Sequence, residues 1–357
     1  MTDNSGPQQF STQVKVYKED FQFECGDVIP EIEVTYSTAG KLNKDRSNVV
    51  WIHHPFSCDS NPSLWWESLV SPTGALSPND YYVVCISALG SCYGTTGPAS
   101  INNVTGSVYG ASFPHTTIRD VVKVNKMICR SLGIDAIHLG VGISFGGQQL
   151  IEWMADEPEK FEHACIIAAN AKQSAWATAL NESQRMAIEA DPTFISDEGN
   201  LGKNGLAAAR SIAMLSYRNY SNYKNFQEET NDDAIDNMKA SSYQRYISFK
   251  FVERFNAHCY WTMTKAMDSH NIGRNRGSIE GVLKGIKTKT LLLAMEGDVL
   301  FPFQEMNDMN NALPNSEIHE VESVHGHDGV LTSCSAISKK IRDFMVASYS
   351  MPELECV

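Results

Sequence analysis

Short apolar runs rich in β-branched residues recur along the chain and predict the strands of a buried sheet. Seven runs have this character, at residues 32–36, 49–53, 81–86, 136–141, 164–168, 290–295 and 317–321. Runs that are apolar throughout, rather than alternating, are typical of parallel strands that helices cover on both faces. The pattern therefore predicts an α/β fold with a mostly parallel central sheet flanked by helices.

The pattern changes between the fifth and the sixth run. From about residue 174 to residue 284 no strand-like alternation occurs, and apolar residues recur at helical spacing in residues 175–188, 205–217, 232–249 and 251–268. We interpret this stretch as an all-helical insertion that forms a lid over an active site. The expected organisation is a core in two parts, residues 1–173 and 286–357, with the helical lid at residues 174–285.

Residues 141–147 read V-G-I-S-F-G-G and contain the pattern G-x-S-x-G between a predicted strand and helical spacing at residues 148–154. In this context the pattern predicts a nucleophile elbow, a sharp and exposed turn from which the Ser144 hydroxyl can attack a carbonyl. The flanking glycines let the strand and helix backbones approach without a Cβ clash. Because the pattern also arises by chance, Ser144 needs chemical partners before it predicts catalysis.

Two kinds of partner follow downstream. Asp298 comes in a turn just after the run 290–295, and the loop at residues 323–329 carries His325 and His327. Open α/β sheets place their chemistry at the edge where the carboxyl ends of the strands meet. The order Ser, Asp, His is that of the α/β-hydrolases. Each residue alone could be an ordinary loop residue, and this reasoning leaves open which histidine is the base.

A nucleophilic serine also needs N–H donors for the oxyanion that forms on the substrate carbonyl. One donor is expected from the backbone of Phe145, at the positive end of its helix. The second is expected from the loop after the run 49–53, where Pro55 has no N–H and Phe56 is the best candidate. The alternative is that this loop only packs against Trp65 and Trp66.

The composition of the chain disfavours several classes of function. The net charge of −13 over 357 residues disfavours nucleic acid or an anionic membrane surface as the main partner. The chain has no apolar run of the roughly 18 residues that cross a membrane. Its nine cysteines are scattered without a C-x-x-C, and residues 1–13 have no apolar stretch of a signal peptide, so we expect reduced thiols and a cytoplasmic protein.

Bound cofactors and metals are not expected. No glycine-rich phosphate-binding motif is present in the sequence. The pair His325-x-His327 with Asp328 offers half of a metal site, whereas catalytic zinc needs three protein ligands. We therefore expect no metal and no resident cofactor.

Several further motifs occur together and in order. Residues 90–102 read G-S-C-Y-G-T-T-G-P-A-S-I-N, and the other segments are W-W at 65–66, F-P at 113–114, T-I-R-D at 117–120, S-H-N-I-G-R-N-R-G at 269–277 and L-F-P at 300–302. This set resembles the homoserine O-acetyltransferase family of the α/β-hydrolase superfamily over nearly the whole chain. The family's G-H-D matches residues 326–328, so the resemblance implies Ser144, Asp298 and His327 as the catalytic triad.

The resemblance also implies a substrate site and a reaction. Arg210 would hold a carboxylate, Tyr217 would line the substrate tunnel, and Asp328 would bind an α-ammonium. The implied reaction transfers an acetyl group from acetyl-CoA to the hydroxyl of L-homoserine, in methionine biosynthesis, through an acyl-serine intermediate. The implied partners are small molecules, and the implied assembly is a homodimer formed through the lid.

Alternatives to this reaction remain. They are an esterase of the same fold, a related acyltransferase that uses succinyl-CoA or L-serine, and a catalytically silent binding protein. The early loop departs from the family's H-A-L-T-G, because residues 54–58 read H-P-F-S-C, and the elbow reads G-I-S-F-G. The bulkier Phe56 and Phe145 leave the acyl-chain preference open.

Overall fold

A computed structural model of the protein describes residues 9–195 and 202–349. The strands are β1 Ser11–Tyr17, β2 Phe21–Gln22, β3 Val28–Ile29, β4 Ile32–Ala39, β5 Val49–His53, β6 Tyr82–Ile86, β7 Ile137–Ile143, β8 Phe161–Ile167, β9 Lys289–Met295 and β10 Ser316–Val321. The α-helices are α1 Glu67–Val70, α2 Ile118–Ser131, α3 Phe145–Asp156, α4 Ala175–Glu189, α5 Lys203–Tyr217, α6 Tyr220–Gln227, α7 Lys239–Val252, α8 Ala257–Asp268, α9 Ile279–Gly285, α10 Phe303–Ala312, α11 Gly329–Thr332 and α12 Cys334–Tyr349. Every predicted strand is present, within a few residues at each end.

Eight strands form one sheet in the order β1-β4-β6-β5-β7-β8-β9-β10, and β2 pairs separately with β3. The pairings of β1 with β4 and of β4 with β6 are antiparallel, and all pairings from β6 to β10 are parallel. The predicted mostly parallel sheet is therefore confirmed. Because parallel strands end at the same edge, the loops that follow β5, β7, β9 and β10 converge there.

Strand β5 shows why these runs are apolar throughout. Its Val50 and Ile52 side chains enter one core, which α12 covers with Ile341, while Trp51 enters the core on the opposite face and meets Trp153 of α3 edge to face at 5.5 Å. All five residues of β5 are buried. Burial on both faces removes the polar alternation that a one-sided sheet would show.

Strand β1 is absent from the sequence-based prediction. It pairs with β4 at the edge of the sheet, and most of its side chains are exposed. An edge strand of this kind is held by main-chain hydrogen bonds and needs no apolar run. Its formation therefore depends on a partner strand rather than on its own composition.

Helices α4 to α9 follow β8 and precede β9, so the predicted helical insertion is present. The predicted helices at residues 232–249 and 251–268 are wrong in their bounds, and α6 is an additional helix. Helix α7 begins at Lys239, where the Glu229 side chain accepts a hydrogen bond from the Lys239 N–H at 2.9 Å. Helix α8 begins after Asn256, whose side chain accepts from the Cys259 N–H at 3.1 Å and caps the helix.

No helix within the described ranges is both long enough and apolar enough to cross a membrane.

Candidate active site

The turn between β7 and α3 holds Ser144 in a backbone conformation that side chains rarely adopt, with φ of 54° and ψ of −119°. Gly146 is required beside it, because a Cβ there would lie 2.0 Å from the His53 carbonyl oxygen. A Cβ at Gly142 would lie 2.7 Å from the Gly146 carbonyl oxygen. The turn thus has the geometry of the predicted elbow. The prediction that it is exposed is wrong, since Ser144 is 3% exposed and lies at the bottom of a cavity.

His327 lies between Ser144 and Asp298. Its Nε2 is 2.9 Å from Ser144 Oγ, and its Nδ1 is 2.7 Å from Asp298 Oδ2. The other oxygen of Asp298 accepts hydrogen bonds from the N–H groups of Leu300 at 2.8 Å and Phe301 at 3.0 Å. These bonds fix the carboxylate, and the carboxylate orients the imidazole so that Nε2 faces the serine hydroxyl.

Two opposing effects act on the pKa of His327. Burial alone would lower it, because a buried site disfavours the charged imidazolium. The charge and the hydrogen bond of Asp298 outweigh burial, with a smaller contribution from Asp328, and raise the pKa above its usual 6.5. The imidazole is therefore a stronger base than a free histidine, which suits a group that must take up a proton.

His325 lies outside this group. Its Nδ1 accepts a hydrogen bond from Asn222 Nδ2 at 2.6 Å, and its ring stacks on Phe226 with the centroids 5.6 Å apart. The geometry therefore associates Ser144 and Asp298 with His327 and separates them from His325.

The backbone N–H groups of Phe56 and Phe145 have no hydrogen-bond partner within the described chain, as donors to an incoming oxyanion require. Their rings meet edge to face at 6.0 Å. Phe255 stacks on Phe56 at 6.0 Å, and Tyr260 meets Phe56 edge to face at 4.9 Å. The bulky side chains that replace the family's usual residues thus form one aromatic cluster beside the elbow.

His54 supports the loop that carries Phe56, a role that the sequence patterns did not reveal. Its Nε2 accepts a hydrogen bond from the Ala88 N–H at 3.1 Å, so Nδ1 carries the proton and donates to the Pro55 carbonyl at 2.8 Å. Burial lowers the pKa of His54 and so favours this neutral form. The available sequence signal is a histidine that directly follows an apolar strand.

A cavity of about 520 Å³ opens above Ser144, which is in the usual range for small-molecule sites. Its charged lining residues are Asp59, Arg210, Arg218, Arg254 and Asp328. The structure thus brings the predicted substrate residues to the same cavity as the predicted nucleophile and base.

The Arg210 guanidinium lies against two aromatic rings. Its Cζ is 5.1 Å from the centroid of the Tyr217 ring and 4.5 Å from that of Phe251. Its Nη1 is buried and has no hydrogen-bond partner within the described ranges. The Tyr217 ring lies 5.6 Å from the His327 ring. A buried donor without a partner, close to the reacting residues, is suited to an anionic group of a ligand.

Asp328 is held by a residue that the sequence analysis missed. Arg218 Nε donates to Asp328 Oδ2 at 2.9 Å, and both side chains are about one-fifth exposed. One carboxylate oxygen of Asp328 is therefore already engaged. Nothing in the local pattern around residue 218 marks it, because its partner is 110 positions away in the chain.

One group within the described ranges could supply three ligands to a metal. His138, Glu162 and His163 offer ligand atoms that lie within 4.8 Å of one another. They lie near the amino-terminal ends of β7 and β8, whereas Ser144 follows the carboxyl end of β7. This group is therefore remote from the cavity above Ser144, and His327 takes no part in it.

Known proteins are similar to this chain over most of its length. The α/β hydrolase fold family matches residues 49–332. The homoserine O-acetyltransferase of Cyclobacterium marinum is 38% identical over 336 residues, which cover 94% of this chain and 95% of the relative. That of Chloroherpeton thalassium is 38% identical over 337 residues, with 93% and 89% covered.

The solved structures of an esterase and of a homoserine O-acetyltransferase are similar to this protein. Esterase E22 is 25% identical, with a TM-score of 0.87 and coverage of 94% of this chain and 100% of the esterase. The homoserine O-acetyltransferase of Bacillus anthracis is 24% identical, with a TM-score of 0.88 and coverage of 95% and 98%, and this likeness shows the shared fold. By family match and by sequence identity over nearly its full length, the chain belongs to the α/β-hydrolase family and, within it, to the homoserine O-acetyltransferases.

Proposed function

We propose that this protein transfers an acetyl group from acetyl-CoA to the hydroxyl of L-homoserine through an acetyl-Ser144 intermediate. The observation that carries the proposal is the buried Arg210 Nη1, which has no partner among the described residues and lies in the cavity that also contains Ser144 and His327. A simple esterase needs no buried cation there, whereas an amino-acid acceptor brings a carboxylate that requires one.

The geometry of the triad supports the proposed first half-reaction. His327 Nε2 takes the proton of Ser144 Oγ as the oxygen attacks the thioester carbonyl. The N–H groups of Phe56 and Phe145 stabilise the oxyanion. When the tetrahedral intermediate collapses, the carbon–sulfur bond breaks, and the proton on His327 goes to the leaving sulfur. Asp298 holds the imidazole and stabilises its charged form throughout.

The second half-reaction uses the same base. Homoserine places its carboxylate on Arg210 and its ammonium on the free oxygen of Asp328. His327 then takes the proton of the homoserine hydroxyl, whose oxygen attacks the acetyl-serine carbonyl. Collapse releases O-acetylhomoserine, and the proton returns to Ser144 Oγ. We assign Tyr217 to the wall of the acceptor site, because its ring lies beside both Arg210 and His327.

Transfer requires that water stay away from the acyl-serine. We propose that the insertion at residues 174–285 acts as the lid. Helix α5 supplies Arg210 and Tyr217 to the cavity, and Arg218 follows it directly, so the insertion provides one wall of the site. The low exposure of Ser144 supports this role.

The same insertion carries large exposed apolar side chains, among them Trp176, Leu215 and Phe249, which are 56%, 59% and 53% exposed. We propose that a second copy of the chain covers them in a homodimer. Light scattering of the parent and of Trp176→Glu with Phe249→Glu tests this assembly. We also propose a cytoplasmic location, because Cys85, Cys129 and Cys165 are unpaired thiols that fill the core as small apolar residues.

A second candidate is an acetyl esterase, and the likeness to esterase E22 favours it. The two functions separate in one assay with purified protein and acetyl-CoA, in which free thiol and O-acetylhomoserine are measured independently. We expect homoserine to accelerate thiol release, with one acetylated product per thiol. Thiol release that homoserine leaves unchanged would favour the esterase. Succinyl-CoA and L-serine, tested in the same way, define the donor and the acceptor.

A further inference from the structure

The mouth of the cavity carries an arginine that the proposed reaction does not yet use. Arg254 follows α7, is exposed, and lines the same cavity as Ser144. Its Nη1 donates to the Ser57 carbonyl at 2.7 Å and to the Tyr93 hydroxyl. Its Cζ lies 5.0 Å from the centroid of the Phe251 ring. The guanidinium is therefore held in place by neutral groups.

The remaining donors of Arg254 are unused. In the part of the chain that the structure describes, the side chain pairs with no carboxylate, and its Nε and Nη2 groups donate to no protein atom. An arginine with one edge fixed and the other edge free has a donor fork ready for an anion. Because its side chain is already held, little rotamer entropy remains to be lost on binding.

The charges of the cavity also favour an anionic ligand. Three arginines and two aspartates line it, and Arg218 is already paired with Asp328. Arg210 and Arg254 then face Asp59 alone, in a chain whose net charge is −13. A local excess of positive charge on an acidic protein is suited to an anionic ligand.

Arg210 and Arg254, which pair with no carboxylate within residues 9–195 and 202–349, lie at different depths. Arg210 is half-buried beside Tyr217, whose ring adjoins His327, whereas Arg254 is exposed beside Ser57 and Tyr93. A ligand that places an acyl group on Ser144 and reaches Arg254 must carry negative charge at its outer end. A phosphate-bearing thioester has this charge.

We infer that Arg254 binds a phosphate group of the acyl donor at the cavity mouth and so selects a phosphorylated thioester over a neutral acyl ester. The inference rests on the proposed function, because it concerns the donor of that reaction. A competing role also follows from the contacts. In that role, Arg254 holds the Ser57 carbonyl and so supports the loop that carries the Phe56 N–H of the oxyanion site.

A binding experiment tests the phosphate contact without turnover. In the Ser144→Ala protein, calorimetry measures the affinity for CoA and for pantetheine, which lacks the phosphates. We expect CoA to bind more tightly, and Arg254→Gln to weaken CoA by about tenfold to a hundredfold, the scale of a charge-assisted hydrogen bond, while pantetheine is unaffected. Arg245→Gln, an exposed arginine of α7 outside the cavity lining, is the matched control and should change neither affinity.

A kinetic experiment separates the two roles of Arg254. We expect Arg254→Gln to raise the KM for acetyl-CoA and to leave kcat and KM for S-acetylpantetheine unchanged. Equal losses with both donors would overturn the inference and assign Arg254 to the support of the Phe56 loop. Equal affinity of CoA and pantetheine for the Ser144→Ala protein would also overturn it. Failure of the proposed function is recognised separately, as parent protein that shows no homoserine-dependent transfer.

Discussion

Arg218 and Asp328 form an ion pair, with Nε 2.9 Å from Oδ2, that joins the end of the α5 segment to the residue next to His327. The pair fixes the orientation of Asp328 and leaves its second oxygen for a ligand. A carboxylate that is held by one cation and offers its other oxygen to an ammonium is a directed site rather than a mobile surface charge.

Asp328→Asn should therefore weaken homoserine binding while the first half-reaction continues. We expect KM for homoserine to rise by about tenfold or more, since one charged hydrogen bond is lost. The burst of CoA before acceptor is added should keep its amplitude, as measured by rapid-mixing thiol detection. If Asp328→Asn slows the burst as much as the full turnover, Asp328 acts on His327 and not on the acceptor.

Arg210→Lys tests the carboxylate site. Lysine keeps the positive charge but lacks the planar fork that binds two carboxylate oxygens at once. We expect the KM for homoserine to rise by about tenfold to a hundredfold, with acetylation of Ser144 near the parent rate. Mass spectrometry of the acetylated protein follows the first step alone. A slowed acetylation in Arg210→Lys would show that the acceptor site is misassigned.

Replacement of each histidine in turn distinguishes the base from its neighbour. His327→Ala should lose several orders of magnitude in kcat/KM, because it removes the group within hydrogen-bond distance of Ser144 Oγ. His325→Ala should cost far less, since that ring binds Asn222 and Phe226 instead. Steady-state rates with acetyl-CoA and homoserine measure both. Equal losses, or the reverse order, would contradict the assignment of His327.

The raised pKa of His327 predicts the acidic limb of the pH profile. Only the neutral imidazole can take the proton of Ser144, so kcat/KM for acetyl-CoA should fall as the pH falls through a pKa above 6.5. In Asp298→Asn burial is no longer opposed by the carboxylate, so the limb should move to lower pH while the rate also falls. A limb at the same pH in both proteins would show that another group controls the profile.

Two glycines provide a matched test of the elbow. Gly146→Ala would place a Cβ 2.0 Å from the His53 carbonyl oxygen, whereas a Cβ at Gly285, at the end of α9, meets nothing within 4 Å. We expect Gly146→Ala to lower the free energy of unfolding by more than about 3 kcal/mol, at the upper end of single substitutions. Gly285→Ala should change it by less than about 1 kcal/mol. Urea denaturation measures both, and similar values would mean that the elbow backbone relaxes freely.

Much of this protein could be predicted from the sequence because the relevant signals are local. A strand buried on both faces, such as β5, must be apolar at every position, and this property is visible within a few residues. The elbow motif is visible for a similar reason, since Gly142 permits the close approach of the Gly146 carbonyl within a single turn. The order of Ser144, Asp298 and His327 then indicated a serine nucleophile, although the residues alone did not choose between the two histidines.

Tertiary structure decided the features that depend on distant partners. Strand β1 forms because β4 offers an edge, and the first N–H of α7, at Lys239, donates to the Glu229 side chain ten positions earlier. The Ser144 turn is buried because other parts of the chain enclose the cavity.

The charged contacts of the cavity could not be predicted from local sequence patterns. Arg218 meets Asp328 across 110 positions, and Arg254 meets the Ser57 carbonyl across 197. Periodicity and motifs describe a window of a few residues, whereas a charge–charge or hydrogen-bond contact at about 3 Å depends on the path of the whole chain. The sequence by itself therefore determined the sheet and the kind of nucleophile, and the fold determined which charges face the substrate.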